Sequence, residues 1–271
     1  MKTYRGETYL TPLREGGSLP AIVGTDRPGL FAVKFRGAGQ GVRALAAEAL
    51  ASGIAQALGL PLPEPAFVTL QEEFGLNEPD PEIQDILRAS AGMNFGYAFL
   101  SGALAFDPAV DHDIDPDLAA DIVWFDAYIT NVDRTARNPN LLIWNGRLWL
   151  IDHGAAFYVH HRWQGWRERI QSRFPQIKDH ILLHEAGDLR AADERLHARI
   201  PGDTLEAIVA QLPEDWLLDD PEFETVAAQR AAYVNYLVER LNGAQPWLEE
   251  AIEAQRRGPQ SYVPRVTRRV V

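Results

Sequence analysis

Apolar residues recur along this chain with two different periods, and the changes between those periods mark out its elements. Ala21-Ile22-Val23 and Leu30-Phe31-Ala32-Val33-Lys34-Phe35 are short apolar runs that predict buried strands, the second carrying a lysine near its end. Over residues 42–58 the spacing becomes helical, with Leu45, Leu50, Ile54, Ala57 and Leu58 as the stripe. Gly59 ends that helix, and Pro61 and Pro63 prevent its continuation. Residues 71–81, rich in Glu, Asp, Pro and Gly, read as loop, and Met93-Asn94-Phe95-Gly96-Tyr97-Ala98-Phe99 falls where a connection between two halves is expected. A second helix is predicted where Asp115 caps, Pro116 occupies the first turn, and Leu118, Ile122, Phe125 and Ile129 follow at helical spacing. Further on, Asp203-Thr204-Leu205-Glu206 has the spacing of a capping box, and residues 221–241 predict a longer helix that buries Phe223, Val226, Tyr233, Val234 and Leu237.

The second helix leads into Asp133-Arg134-Thr135-Ala136-Arg137-Asn138-Pro139-Asn140, followed by two apolar runs, Leu141-Leu142-Ile143-Trp144 and Arg147-Leu148-Trp149-Leu150, around Asn145-Gly146. Asn-Gly between such runs predicts a hairpin, because both residues tolerate the positive φ of a type I′ turn. With that turn, Leu141 faces Leu150 and Asn140 faces Ile151, so the asparagines and Asp152 emerge together at the open end. An acid, an amide and a second acid beyond a hairpin suit phosphoryl transfer. Asp133 would accept the proton of the attacking hydroxyl, while an amide oxygen and Asp152 hold Mg²⁺ on nucleotide phosphates. Asp, Asn and Gly are also common turn residues, so this reading needs a nucleotide-binding half upstream.

Candidates for that half are present. Glu15-Gly16-Gly17-Ser18-Leu19-Pro20 precedes the strand Ala21-Ile22-Val23, and glycine frees backbone amides to lie against phosphates that Lys34 also reaches. Gly37-Ala38-Gly39-Gln40-Gly41 is a second such stretch, and each by itself reads more readily as a plain turn. In the first helix Glu48 shares a side with Ala44, Ala51, Ser52 and Ala55. There it either pairs with Lys34 or is a solvated helix charge.

The Asp133-Arg134 pair, the later Ile151-Asp152-His153-Gly154, and the segment Ala47-Glu48 through Leu58-Gly59-Leu60-Pro61 resemble HipA-like kinases of the phosphatidylinositol-kinase-like branch, over residues 15–160. The resemblance implies an α+β, two-lobed protein-kinase-like fold, with a β-rich N-terminal ATP-binding lobe over 1–93 and a mainly helical catalytic lobe over 94–271. It also implies ATP and Mg²⁺ as cofactors. Lys34 would bind phosphates, Glu48 would position Lys34, Asp133 would be the base, and Asp152 with Asn138 or Asn140 would hold the metal. Gly16, Gly17, Ser18, Phe95 and Tyr97 would line the nucleotide. Counting five residues from Asp133 selects Asn138, whereas the residue directly before the strand is Asn140.

Composition fits a compact enzyme: 271 residues, 46% hydrophobic, are enough for substantial cores. A net charge of −12 argues against a nucleic-acid surface covering the protein, and the absence of cysteine excludes disulfides and thiol chemistry. With no long uncharged apolar run and no cleavable signal pattern at Met1-Lys2-Thr3-Tyr4-Arg5, a cytoplasmic location and no membrane partner are expected. Asp111-His112-Asp113 lacks the glycine and glutamate of a calcium loop, and His180 with His184 lacks the glutamate of a zinc-protease helix. Arg256, Arg257, Arg265, Arg268 and Arg269, with no acid after Glu253, form a basic tail that is either free, self-docking or a contact for an acidic partner such as nucleic acid. Three functions follow: a kinase acting on Ser or Thr of a protein, a small-molecule or lipid phosphotransferase on the same fold, or a nucleotide-binding pseudokinase that acts as an interaction module. Asn131 stands where choline and aminoglycoside kinases usually carry His, two residues before the catalytic Asp.

Overall fold

The computed structural model describes residues 1–13, 19–39, 41–110, 112–217 and 220–258. Gly16, Gly17 and Ser18, and the tail arginines Arg265, Arg268 and Arg269, lie outside the described residues.

The N-terminal region is β-rich. Strands β1 (Lys2–Pro12), β2 (Ala21–Thr25) and β3 (Leu30–Lys34) form an antiparallel meander, then α1 (Gly41–Leu58) crosses to β4 (Pro65–Leu70), and α2 (Pro81–Arg88) precedes β5 (Gly92–Ala98). The strands close into a barrel in the order β1-β2-β3-β5-β4, sealed by parallel pairing of β1 with β4. Side chains alternate in and out, so Ala21 and Val23, Phe31 and Val33, and Ala66 and Val68 fill the interior. β1 at Gly6 passes so close to Leu70 that a Cβ there would lie 2.5 Å from its Cδ2.

The C-terminal part is mainly helical. β6 (Leu104–Ala105), β7 (Leu141–Trp144) and β8 (Arg147–Leu150) form a small sheet, with α3 (Pro116–Ile129) between β6 and β7 in the chain. After it come α4 (Trp166–Arg169), α5 (Leu189–Leu196), α6 (Gly202–Ala210), α7 (Val226–Asn242) and α8 (Pro246–Arg257). Among the described residues no helix is long and apolar enough to cross a membrane.

The helix over 42–58, the Asp115-capped helix and the hairpin stand where their patterns place them. Other expectations are corrected. Residues 93–99 are no connection: β5 pairs with β3 on one side and β4 on the other, so a division after residue 93 would cut a barrel strand. β1 and β4 carry long-range parallel pairing that local periodicity does not announce. Helix α6 begins before Asp203, with Pro201 rather than Asp203 at its cap, and α7 starts at Val226 behind Thr225, whose side chain accepts from the Ala228 amide.

The hydrophobic residues form two clusters. One fills the barrel, and Leu87 of α2 contributes to it. The other joins α1 to the C-terminal helices. Helix α1 has no solvent face through its middle, because every residue from Leu45 to Ala55 is buried. At Gly53 it approaches α6 so closely that a Cβ would lie 2.7 Å from Ile208 Cγ2.

Candidate active site

The β7–β8 turn sets the first part of the site. Asn145 and Gly146 take φ of 50° and 70°, the register pairs Leu141 with Leu150 and Trp144 with Arg147, and the Ile151 amide donates to the Asn140 carbonyl at 3.1 Å. At the open end Asn140 and Asp152 also have positive φ, of 50° and 54°, which turns the chain sharply on both sides of the hairpin. Asp133, Asn138, Asn140 and Asp152 all line one cavity of about 860 Å³, together with Lys34 from β3. The site residues separated in sequence by more than a hundred positions are thus brought to one wall-to-wall space.

Lys34 is paired twice: its ammonium contacts Glu48 Oε1 and lies 2.6 Å from Asp152 Oδ1. Glu48 is wholly buried, so it is no solvated helix charge. Its Oε1 also accepts the His153 amide at 3.0 Å, and its Oε2 accepts the Tyr97 hydroxyl at 2.9 Å. The Tyr97 hydroxyl lies 2.7 Å from Ser52 Oγ and 3.0 Å from His153 Nδ1, so a buried polar chain runs behind the lysine. Gly154 lies against this chain, since a Cβ there would be in ordinary contact with Glu48 Oε1 at 3.4 Å. Burial works to lower the Lys34 pKa, but Glu48 and Asp152 outweigh it and the ammonium is held above its ordinary value. Burial works to raise the Glu48 carboxyl, but Lys34 and His153 hold it well below the usual carboxylate range.

Asp133 faces the same cavity from the loop after α3. Its Oδ2 accepts from Asn138 Nδ2 at 2.8 Å, while Asn140 Nδ2 reaches the Asp133 carbonyl at a long 3.5 Å. Burial raises the Asp133 pKa, the Asn138 bond opposes that, and the nearby Asp152 charge adds to it. A half-buried carboxylate with an elevated pKa, opposite a paired lysine and beside a second carboxylate, has the makings of a proton acceptor.

Phe95 and Tyr97 sit differently from expectation. Phe95 is wholly buried against Phe67 and Tyr97 and does not reach the cavity. Tyr97 lines the cavity, yet its hydroxyl is spent on Glu48, and the backbone of both residues is committed to the barrel ladders. Residues beyond β5 also border the cavity: Phe99, Leu100, Gly102 and Ala103. Ala38, Gly41 and Ala44, around the start of α1, line it too. His180 is buried and His184 exposed, and among the described residues no three His, Cys, Asp or Glu side chains gather for a metal.

Two contributors escape sequence reading. The Tyr97-His153-Ser52 chain behind Glu48 depends on long-range packing, and no local pattern reveals it. Asp126, wholly buried and bonded to Arg134 at 2.5 Å, does leave a signal: it is an acid inside the apolar helix that precedes Asp133.

A sequence profile of the HipA-like kinase family matches residues 9–250. No curated protein matches the chain in sequence. Among solved structures, the crystal structure of a Helicobacter pylori proinflammatory kinase, CtkA, is similar, with a TM-score of 0.53 at 14% identity over 86% of this chain and 94% of that one. At that identity the likeness is one of fold.

Proposed function

This chain belongs to the HipA-like kinase family, and from that premise we propose that it is an ATP- and Mg²⁺-dependent kinase that transfers the γ-phosphate to a serine or threonine hydroxyl of a protein. The observation that carries the reading is the placement of Lys34, paired with buried Glu48 and with Asp152, on the same cavity as Asp133. On this reading the fold has two lobes that divide after Ala98, the last residue of the barrel, and the nucleotide lies between them.

Lys34 binds phosphate oxygens, and Glu48, which cannot leave its buried bonds, keeps it aimed. Asp152 is the partner that can let Lys34 go, being partly exposed where Glu48 is not. Asp152 and Asn140, which line the same cavity at the hairpin's open end, offer a carboxylate and an amide oxygen, a donor set that would suit Mg²⁺ with phosphates completing its shell. When bound there, Mg²⁺ supplies charge neutralisation between the phosphate groups. We assign Asn138 to a different task, since its amide already holds the Asp133 carboxylate at 2.8 Å. Asp133 accepts the proton as the acceptor oxygen bonds to the γ-phosphorus and the bond to the β-phosphate oxygen breaks, releasing ADP. The segment Leu100–Ala103, past the Phe99 amide that still donates to the Leu30 carbonyl of β3 at 2.7 Å, borders the cavity and would contact the base.

The test uses γ-labelled ATP with a cell lysate and compares the intact chain with Asp133→Asn. A labelled protein that appears with the intact chain alone supports the kinase and reveals the acceptor. Nucleotide binding without any transfer leaves a pseudokinase, and label on lipid or small molecules moves the acceptor class.

A further inference from the structure

Behind the hairpin end lies a buried charge that no catalytic step uses. Asp126, in the last turn of α3, has no exposed surface, and its carboxylate receives three side chains. Arg134 Nε donates to Oδ2 at 2.5 Å, His180 Nε2 lies 2.9 Å from the same oxygen, and Asn131 Nδ2 donates to Oδ1 at 2.9 Å. Two of these partners in turn hold backbone of the candidate site. Asn131 Oδ1 accepts the Asp133 amide at 3.2 Å. Arg134 Nη1 donates to the Asn140 carbonyl at 2.5 Å and to the Ile151 carbonyl at 3.2 Å, one on each side of the hairpin's open end. His180 is itself fixed, because its Nδ1 accepts the Leu182 amide at 3.1 Å and the neighbouring Ile181 amide donates to the Arg134 carbonyl at 3.1 Å.

A buried ion pair is a poor device for stability, since desolvation consumes most of the attraction and a well-packed apolar pair does as well. What it does supply is direction. Arginine presents a rigid planar fork, and here that fork reaches a carboxylate and two carbonyls at once, which a lysine cannot do. One carboxylate therefore connects, through Asn131, to the backbone that carries Asp133 and, through Arg134, to the backbone that carries Asn140 and Asp152.

We propose that Asp126 is a positioning residue that, through Arg134 and His180, sets the spacing between the proton acceptor Asp133 and the metal-holding pair Asn140 and Asp152. This inference rests on the kinase reading. It gives the Asp133-Arg134 pair a physical reason: the residue beside the base anchors the metal-holding strand ends.

The test uses the full chain with Arg134→Lys, Asp126→Asn and His180→Ala. Thermal shift with ATP alone and with ATP plus Mg²⁺ is measured beside kcat, the KM for ATP and the Mg²⁺ concentration for half-maximal activity. Arg134→Lys is expected to raise that Mg²⁺ concentration by roughly 10- to 100-fold, the usual effect of removing a partner that orients a metal ligand. It should also lower kcat by about 10²-fold, as ångström-scale misplacement does, while the KM for ATP and the ATP-alone shift stay near wild type because Lys34 is untouched. His180→Ala, which removes one donor and leaves the ion pair, gives the same pattern at smaller size and serves if the other variants do not fold. A folded variant with lowered Tm but wild-type Mg²⁺ dependence and kcat overturns the proposal and leaves the network purely structural. Failure of the kinase reading is distinct, because there the wild-type chain itself shows no Mg²⁺-dependent shift and no transfer.

Discussion

Glu48→Gln isolates the charge of the buried carboxylate while keeping its size. The wild-type group receives Lys34 and the His153 amide on Oε1 and the Tyr97 hydroxyl on Oε2. An amide oxygen placed at Oε1 still satisfies two of these donors, and the amide NH₂ then meets the Tyr97 hydroxyl, which can turn to accept it. The loss is thus mainly electrostatic. Removing one partner of a buried pair costs about 3–5 kcal/mol when the other is stranded. Lys34 is not stranded, since Asp152 remains 2.6 Å away, so the cost is set at about 2 kcal/mol, within that limit. At roughly 2–4 °C per kcal/mol for a chain of this size, Tm falls by about 4–8 °C. With Lys34 drawn toward Asp152 alone, transfer falls by about 10²-fold. Lys34→Met and the double variant complete a cycle in which the combined loss of stability is smaller than the sum by about 0.5–3 kcal/mol. Glu48 is depressed in the folded chain, so its contribution is present above the ordinary value of 4.5 and fades as pH falls below it; Glu48→Gln removes that part of the acid sensitivity. Thermal denaturation against pH, with transfer assays at neutral pH, reads all of this. Wild-type Tm and transfer in Glu48→Gln, or strictly additive losses, would refute the coupling of the pair.

Three further outcomes are expected. Replacing Asn140 by Ala raises the Mg²⁺ needed for half-maximal activity, whereas Asn138→Ala slows transfer with the Mg²⁺ requirement unchanged; Mg²⁺ titrations with the reverse result would exchange the two assignments. His160 is buried and burial lowers its pKa from 6.5 to about 3, so the unfolded chain takes up a proton that the folded chain refuses as pH drops below 6.5. Stability from this group is therefore lost on going from pH 7 to pH 5, by about 2 kcal/mol at 1.36 kcal/mol per pKa unit, and His160→Gln should flatten that slope in chemical denaturation. Arg240 is buried and donates to the carbonyls of Ala127 and Tyr128 at the end of α3 and of Ile170 and Ser172, so Arg240→Met strands several acceptors and costs about 3 kcal/mol or more, read as the urea midpoint.

What the sequence made legible was local. The turn chemistry of Asn145-Gly146, the Asp115-Pro116 helix start and the Gly59-Leu60-Pro61 stop each act through a few neighbouring residues, so they survive reading one residue at a time. Because the hairpin register follows from its turn, the convergence of Asn140 and Asp152 was legible too. Barrel closure was not, since β1 meets β4 across more than fifty residues and its outward side chains, such as Lys2 and Thr8, are polar. The placement of Phe95 away from the cavity that Tyr97 lines was hidden for the same reason: whether an aromatic residue faces a cavity or a core depends on the partners on both edges of its strand. Glu48 was undecided by helix geometry because α1 is enclosed on all sides, and an enclosed helix has no polar face against which a charge can be judged.

That enclosure also bears on how the chain is made. Helix α1 is synthesised with the barrel, yet Leu45, Leu50 and Ile54 pack in the same cluster as Leu196, Leu205 and Val209, which leave the ribosome about 150 residues later. Until α6 arrives, one flank of α1 faces water or whatever shields it, and the barrel can mature only as a half-built unit with an apolar helix on its side. Cutting the gene between the barrel and the rest would therefore yield a sticky fragment rather than an independent domain.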